Sequence, residues 1–160
     1  MIITAGLPAT TTRVERHTAP EVNRAIRART AERLGQYARE PATRPERRLR
    51  ELDAEWDVER VLEANASTIA LTGVVLGALV DRRFLALPAA VLGFLALHAV
   101  QGWCPPIPVI RRMGVRTARE IERERHALKA LRGDYDGLPQ PADGEEPAAR
   151  VRAALAAVDR

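Results

Sequence analysis

One cysteine and one histidine carry most of the reactive chemistry this sequence offers. Cys104 is the single cysteine of the 160-residue chain, which excludes an internal disulfide and a zinc site built from several cysteines. It stands in Gly102-Trp103-Cys104-Pro105-Pro106, where an apolar stretch stops, with Arg111 and Arg112 shortly after. Nearby cations lower a thiol pKa and favour the thiolate, so Cys104 is the candidate reactive thiol. It could accept sulfane sulfur from a sulfurtransferase, form an intermolecular disulfide, or bind a soft metal across a dimer. The C-terminal end of a helix dipole disfavours that thiolate, and a small residue packed where a helix must stop needs no such chemistry. His98 lies inside the apolar stretch, where an ionisable group is by default a functional candidate. A neutral imidazole bonded to Gln101 or Asn65 is the simpler expectation. The six-residue offset to Cys104 turns the two side chains about 240° apart on a helix, too far round to share a metal. No phosphate-cradling Gly-rich loop, Ser/His/Asp set or HExxH occurs. No catalytic, cofactor-binding or metal-ligand residues are therefore expected, and the chain does not read as an enzyme.

The elements that must position Cys104 and His98 are two apolar legs. From Ala66 to Val100 the only charged residues are Asp81, Arg82 and Arg83. Each leg is long enough, at 1.5 Å per residue, to reach ~25–30 Å, close to the hydrocarbon thickness of a bilayer. The pattern predicts a transmembrane helical hairpin with a short charged turn. Gly73 and Gly77 in the first leg, and Ala89 and Gly93 in the second, are small residues four apart. In lipid, where no hydrophobic force draws helices together, such residues permit close helix contact. They serve either packing within the hairpin or a homodimer. Trp103 suits a membrane–water interface, and the prolines at 105, 106 and 108 stop the second leg.

The flanks are polar and read as helices. Residues 1–17 lack periodicity and are expected to be disordered. Thr18, Pro20 and Glu21 signal the start of a helix running to about Arg39. The prolines of Glu40–Pro45 mark a linker. From Glu46, Leu49, Leu52 and Trp56 make a narrow apolar stripe, suited to a membrane surface or to a partner helix. This helix either continues into the first leg or bends at Ala64-Asn65. The acids Asp53, Glu55, Asp57 and Glu59 read as a charged helical face. Thr117 to Glu120 is a capping box, and Gly133 ends the helix it opens. An acidic Gly/Pro-rich linker follows, and Pro147 starts a last helix with Val151, Leu155 and Val158 on one face.

Charge sets the orientation. Residues 1–63 hold 12 basic and 11 acidic side chains, and 104–160 hold 11 and 9. Both flanks are near neutral, so no nucleic-acid partner is indicated. Arginines cluster at the membrane-proximal ends of both flanks, including Arg111, Arg112, Arg116 and Arg119, while the turn carries only Arg82 and Arg83. The positive-inside rule then puts both termini in the cytoplasm. Trp56, Trp103, Arg111 and Arg112 are the expected interface anchors.

The lead-in Arg60–Asn65, the glycine-bearing legs and the Gly102-Trp103-Cys104-Pro105 close together resemble the YgaP-like transmembrane domain family, over about residues 58–112. The wider run from Gly102 to Tyr135 is similar to longer bacterial members that lack a rhodanese domain and have no assigned function. Some members fuse the hairpin to a rhodanese sulfurtransferase. This chain has no rhodanese loop with its catalytic cysteine, so that activity does not carry over. The expectation is an all-α protein in three parts: a flexible segment with one helix (1–45), an amphipathic helix with the hairpin (46–109), and a cytoplasmic helical tail (110–160). It would be an integral protein of the bacterial inner membrane, with no cofactor, acting as an anchor or interaction module and as a homodimer. The alternatives are a thiol-redox or sulfur-handling membrane accessory using Cys104 beside a sulfurtransferase or redox partner, and a soluble helical bundle with the hairpin as its core.

Overall fold

A computed structural model describes residues 9–39, 44–136 and 147–158. Those residues are helical, with no strand among them. In chain order they form α1 (Arg13–Arg16), α2 (Pro20–Tyr37), α3 (Arg44–Ala54), α4 (Val58–Leu79), a 3-10 turn (Arg82–Leu85), α5 (Ala86–Gln101), α6 (Ile107–Arg112), α7 (Ala118–Arg132) and α8 (Pro147–Val158). They fall into two compact units, one from the described parts of Met1–Thr30 and Glu55–Ile121, the other from those of Ala31–Ala54 and Glu122–Arg160.

The first unit is built on α4 and α5. The stretch ending with α4 at Leu79 and the stretch Arg82–Gln101 are each long and apolar enough to cross a membrane, and only 22% and 11% of their apolar windows are buried. The two helices touch along their glycines. A Cβ on Gly77 would lie 2.6 Å from Leu85 Cδ2, and one on Gly73 would lie 2.6 Å from Pro88 Cδ. Gly93 faces open space, and Ala89 is exposed.

α4 does not continue from α3. The chain breaks at Glu55–Asp57, not at Ala64-Asn65. Asp57 is the N-cap of α4, its carboxylate accepting from the Arg60 amide at 2.8 Å. That satisfies one of the orphan donors at a helix start. The three-residue gap lets the Val58 amide donate to the Arg116 carbonyl, 2.9 Å away.

The expected disorder of residues 1–17 is corrected for its described part, while residues 1–8 lie outside the described residues. α1 is a single helical turn that buries Val14 in an apolar core with Val58, Leu62, Cys104, Ile107 and Ile110. One apolar side chain in seven polar ones shows no periodicity, which is why the segment looked unstructured. Full burial of a Val or Leu side chain is worth about 1.5–3 kcal/mol, enough to hold so short an element in place. Gly102 makes this docking possible. It ends α5 at φ +81°, and a Cβ there would lie 2.5 Å from Arg13 Cβ, so it meets both the left-handed backbone and the close approach.

Thr18 does not cap α2 as expected. Its hydroxyl donates back to the Val14 carbonyl at 2.8 Å, and the α2 amides of Val22 and Asn23 donate instead to the Ala19 carbonyl. The box at α7 forms in both directions: Thr117 N–H donates to Glu120 Oε2 at 2.9 Å, and Glu120 N–H to Thr117 Oγ1 at 3.3 Å.

In the second unit Leu49, Leu52 and Leu128 are buried. The Glu124 side chain, fully buried, is held by Arg33 and Arg48 at 3.1 and 2.8 Å. The Arg47–Glu51 pair forms at 3.1 Å on an exposed face, where solvent screens it. Gly133 closes α7 at φ +86°, and the Asp134 amide reaches the Lys129 carbonyl at 3.0 Å, a Schellman closure. The linker of residues 137–146 lies outside the described residues.

Candidate functional site: the closed end of the apolar helix pair

The end of α4 and α5 remote from the charged turn gathers most of the buried polar groups of the first unit. His98, on the last turns of α5, faces Glu59, on the first turn of α4. His98 Nε2 and Glu59 Oε2 are 2.6 Å apart, and Arg13 Nη2 of α1 donates to the other Glu59 oxygen at 2.9 Å. His98 Nδ1 is enclosed with no hydrogen-bond partner. The expected partners Gln101 and Asn65 are therefore replaced by Glu59. Asn65 Nδ2 instead donates to the Val61 carbonyl at 2.7 Å. Glu59 read as one member of a solvated acidic face because its target lies 39 residues away and no local spacing reveals it.

Arg111 is the hub of a second group. It is 1% exposed. Its guanidinium donates to both Glu120 oxygens at 2.6 and 2.8 Å, to Asn23 Oδ1 at 2.9 Å, to the Val115 carbonyl at 2.9 Å and to Thr18 Oγ1 at 3.2 Å. Burial alone would raise the Glu120 pKa, but the Arg111 hydrogen bonds and charge, with the Thr117 amide, outweigh it and hold the carboxyl below its usual value. Arg116 is buried too and grips Glu55 through two bonds of 2.7 Å. The expected cationic cluster after Cys104 is thus corrected. Arg111 is no interface anchor, and only Arg112 and Arg119 of the four arginines are exposed. Trp56 is exposed with the Arg60 guanidinium 4.4 Å from its ring centroid, a cation–π pair. Trp103 is half-buried.

No protein-family model, curated protein or solved structure matches this chain.

Cys104 belongs to neither of these groups. It is 4% exposed, in the apolar core, and burial pushes its thiol pKa up. Arg111, the cation expected to activate it, is spent on Glu120. No group of three or more His, Cys, Asp or Glu side chains among the described residues could hold a metal ion. We expect the folded protein to react with a maleimide at neutral pH at least tenfold slower than its unfolded form. Equal rates would mean that the thiol is free.

Beside Cys104 runs an apolar cleft of about 520 Å³. Its walls come from α4, α5 and α6, with Ala66, Ile69, Phe94, Val109 and Met113 among them. Asn65 and Cys104 are its polar members.

Proposed function

We propose that this chain is a small integral membrane protein in which α4 and α5 cross a bilayer as an antiparallel hairpin, its polar flanks serving as an anchoring or interaction module on the cytoplasmic side of a bacterial inner membrane. The observation that carries this reading is the outward apolar surface of two successive bilayer-length helices. Leu71, Leu79, Val80 and Leu92 are 61–80% exposed, while arginines and glutamates of the flanks are buried in ion pairs. Each Å² of apolar surface left in water forgoes about 25 cal/mol, and soluble proteins rarely expose contiguous apolar patches beyond a few hundred Å². A soluble bundle would turn these side chains inward, whereas hydrocarbon is their natural surrounding. The serine and threonines of α4 fit it as well: Ser67, Thr68 and Thr72 hydroxyls donate to carbonyls of their own helix at 3.1, 2.7 and 2.8 Å, so none asks for water.

Orientation follows from arginine placement. Arg47, Arg48 and Arg50 precede α4, Arg60 lies in its first turn, and Arg111, Arg112, Arg116 and Arg119 follow α5, against Arg82 and Arg83 in the turn. The positive-inside rule counts basic residues rather than net charge, so pairing does not weaken the bias toward cytoplasmic termini. Membership of the YgaP-like family, among its rhodanese-lacking members, belongs to the same proposal and rests on Arg60–Asn65 and Gly102–Pro105.

The homodimer reading moves to a new face. Gly73 and Gly77 are occupied by Pro88 and Leu85 of the same chain, which leaves Ala89 and Gly93 for a second copy. The thiol-redox reading gains nothing from a buried, deactivated cysteine. Alkaline carbonate extraction tests the membrane proposal: the chain should stay in the pellet, and recovery in the supernatant would overturn it.

A further inference from the structure

We propose that the cleft between α4, α5 and α6 is a phospholipid site, in which one acyl chain lies against Ile69, Phe94, Val109 and Met113 and the phosphate meets Arg112. The inference rests on the bilayer reading above. The cleft's volume, about 520 Å³, falls within the ~300–1,000 Å³ of small-ligand sites. Its lining is almost wholly apolar and favours an apolar occupant. The Asn65 amide is committed to the Val61 carbonyl, and burial keeps the Cys104 thiol protonated.

Two observations select a phospholipid from among apolar occupants. The first is continuity. Ile69, Phe94, Val109 and Met113 are 45, 43, 58 and 76% exposed while also lining the cleft. The cleft therefore opens sideways onto the surface that faces hydrocarbon, and a chain can slide in without leaving the apolar layer. The second is charge. Arg112 sits between the lining residues Ile110 and Met113 in sequence and is exposed. Its neighbours Arg111 and Arg116 are neutralised by Glu120 and Glu55, whereas no ion pair holds Arg112 among the described residues. Arg112 directly precedes the lining residue Met113 in the chain, and a guanidinium can bind a phosphate at the rim with charge-assisted hydrogen bonds.

The test uses the full chain reconstituted in phosphatidylcholine vesicles containing a phosphatidylglycerol with a photoactivatable diazirine on one acyl chain. Crosslinks should concentrate several-fold on Ile69, Phe94 and Met113 over the outward residues Leu71, Leu79 and Leu92. Val109→Trp and, separately, Ile69→Trp fill the rim from exposed positions, and each should cut the cleft crosslinks several-fold. Arg112→Gln should reduce them as well. Crosslinks spread evenly over both sets of residues, or unchanged in both tryptophan variants, overturn the site. A diazirine fatty acid that labels the cleft as well as the phospholipid, with no effect of Arg112→Gln, overturns the phosphate contact. Carbonate extraction of the same vesicles separates the two ideas. Resistance with evenly spread crosslinks sinks the site and spares the bilayer reading. Release with crosslinks still confined to the cleft does the reverse.

Discussion

Arg111→Met is expected to destabilise the protein by about 3–5 kcal/mol, because breaking a buried pair strands its partner charge. The substitution leaves Glu120 half-enclosed without its cation, and removes the donors that Asn23, Thr18 and the Val115 carbonyl now share. For a chain of this length each kcal/mol moves the melting temperature by about 2–4 °C, so the purified protein in mild detergent should melt roughly 10 °C lower. Adding Glu120→Gln should recover part of the loss, since the two side chains act as one unit. A loss below about 1 kcal/mol would contradict the assignment of Arg111 as the hub. The same pair gives a pH dependence. The Glu120 carboxyl is held below its usual value, so its contribution is present above the unfolded pKa of about 4.3 and is lost as pH falls through the lower folded value. In Arg111→Met that acid-side loss should shrink.

Gly73→Ile should be the most damaging change within the apolar helices. Its Cβ would lie 2.6 Å from Pro88 Cδ and 3.3 Å from the Phe84 carbonyl oxygen. A proline ring cannot rotate aside, so α5 must move. Overpacking of this kind costs about 1–3 kcal/mol. Gly77→Ile meets the flexible end of Leu85 first, also at 2.6 Å, and should cost less. Gly93→Ile meets nothing within 4 Å. Its melting temperature should fall less than that of Gly73→Ile, and loss of a dimer through Ala89 and Gly93 should shift detergent sizing to the monomer. Equal melting of the position-73 and position-93 variants would contradict the packing of α4 on α5.

The apolar legs, the charged turn, the capping box at Thr117 and the closing Gly133 were legible because each signal is local. Two periods of apolar residues, a Thr-x-x-Glu and a glycine after a helical run need no knowledge of the rest of the chain. The misses share one cause. Glu59 and Glu55 look alike in sequence, yet the first faces His98 and Arg13 while the second grips Arg116, 61 residues away. Arg111 and Arg112 are neighbours with opposite fates, because a short helix turns one into the fold and the other out. Pro106 signals only that α5 has stopped, and the sequence does not reveal that α6 restarts behind it and carries Arg111 inward. Val14 shows the same limit, since a single apolar residue is read as noise unless its cavity is known. The candidate site was half visible. Cys104 and His98 were marked by residue type, but the burial that silences Cys104 and the carboxylate that claims His98 depend on long-range contacts.

The crossing of a bilayer by α4 and α5 is tested most directly by cysteine accessibility in a Cys104→Ser background. Arg82→Cys puts a thiol in the turn, and Arg123→Cys puts one on the exposed side of α7. A membrane-impermeant maleimide added to intact bacterial cells should label the Arg82→Cys protein at once, and the Arg123→Cys protein only after the membrane is permeabilised. Labelling of both thiols only after permeabilisation would contradict it, as would labelling of both in intact cells.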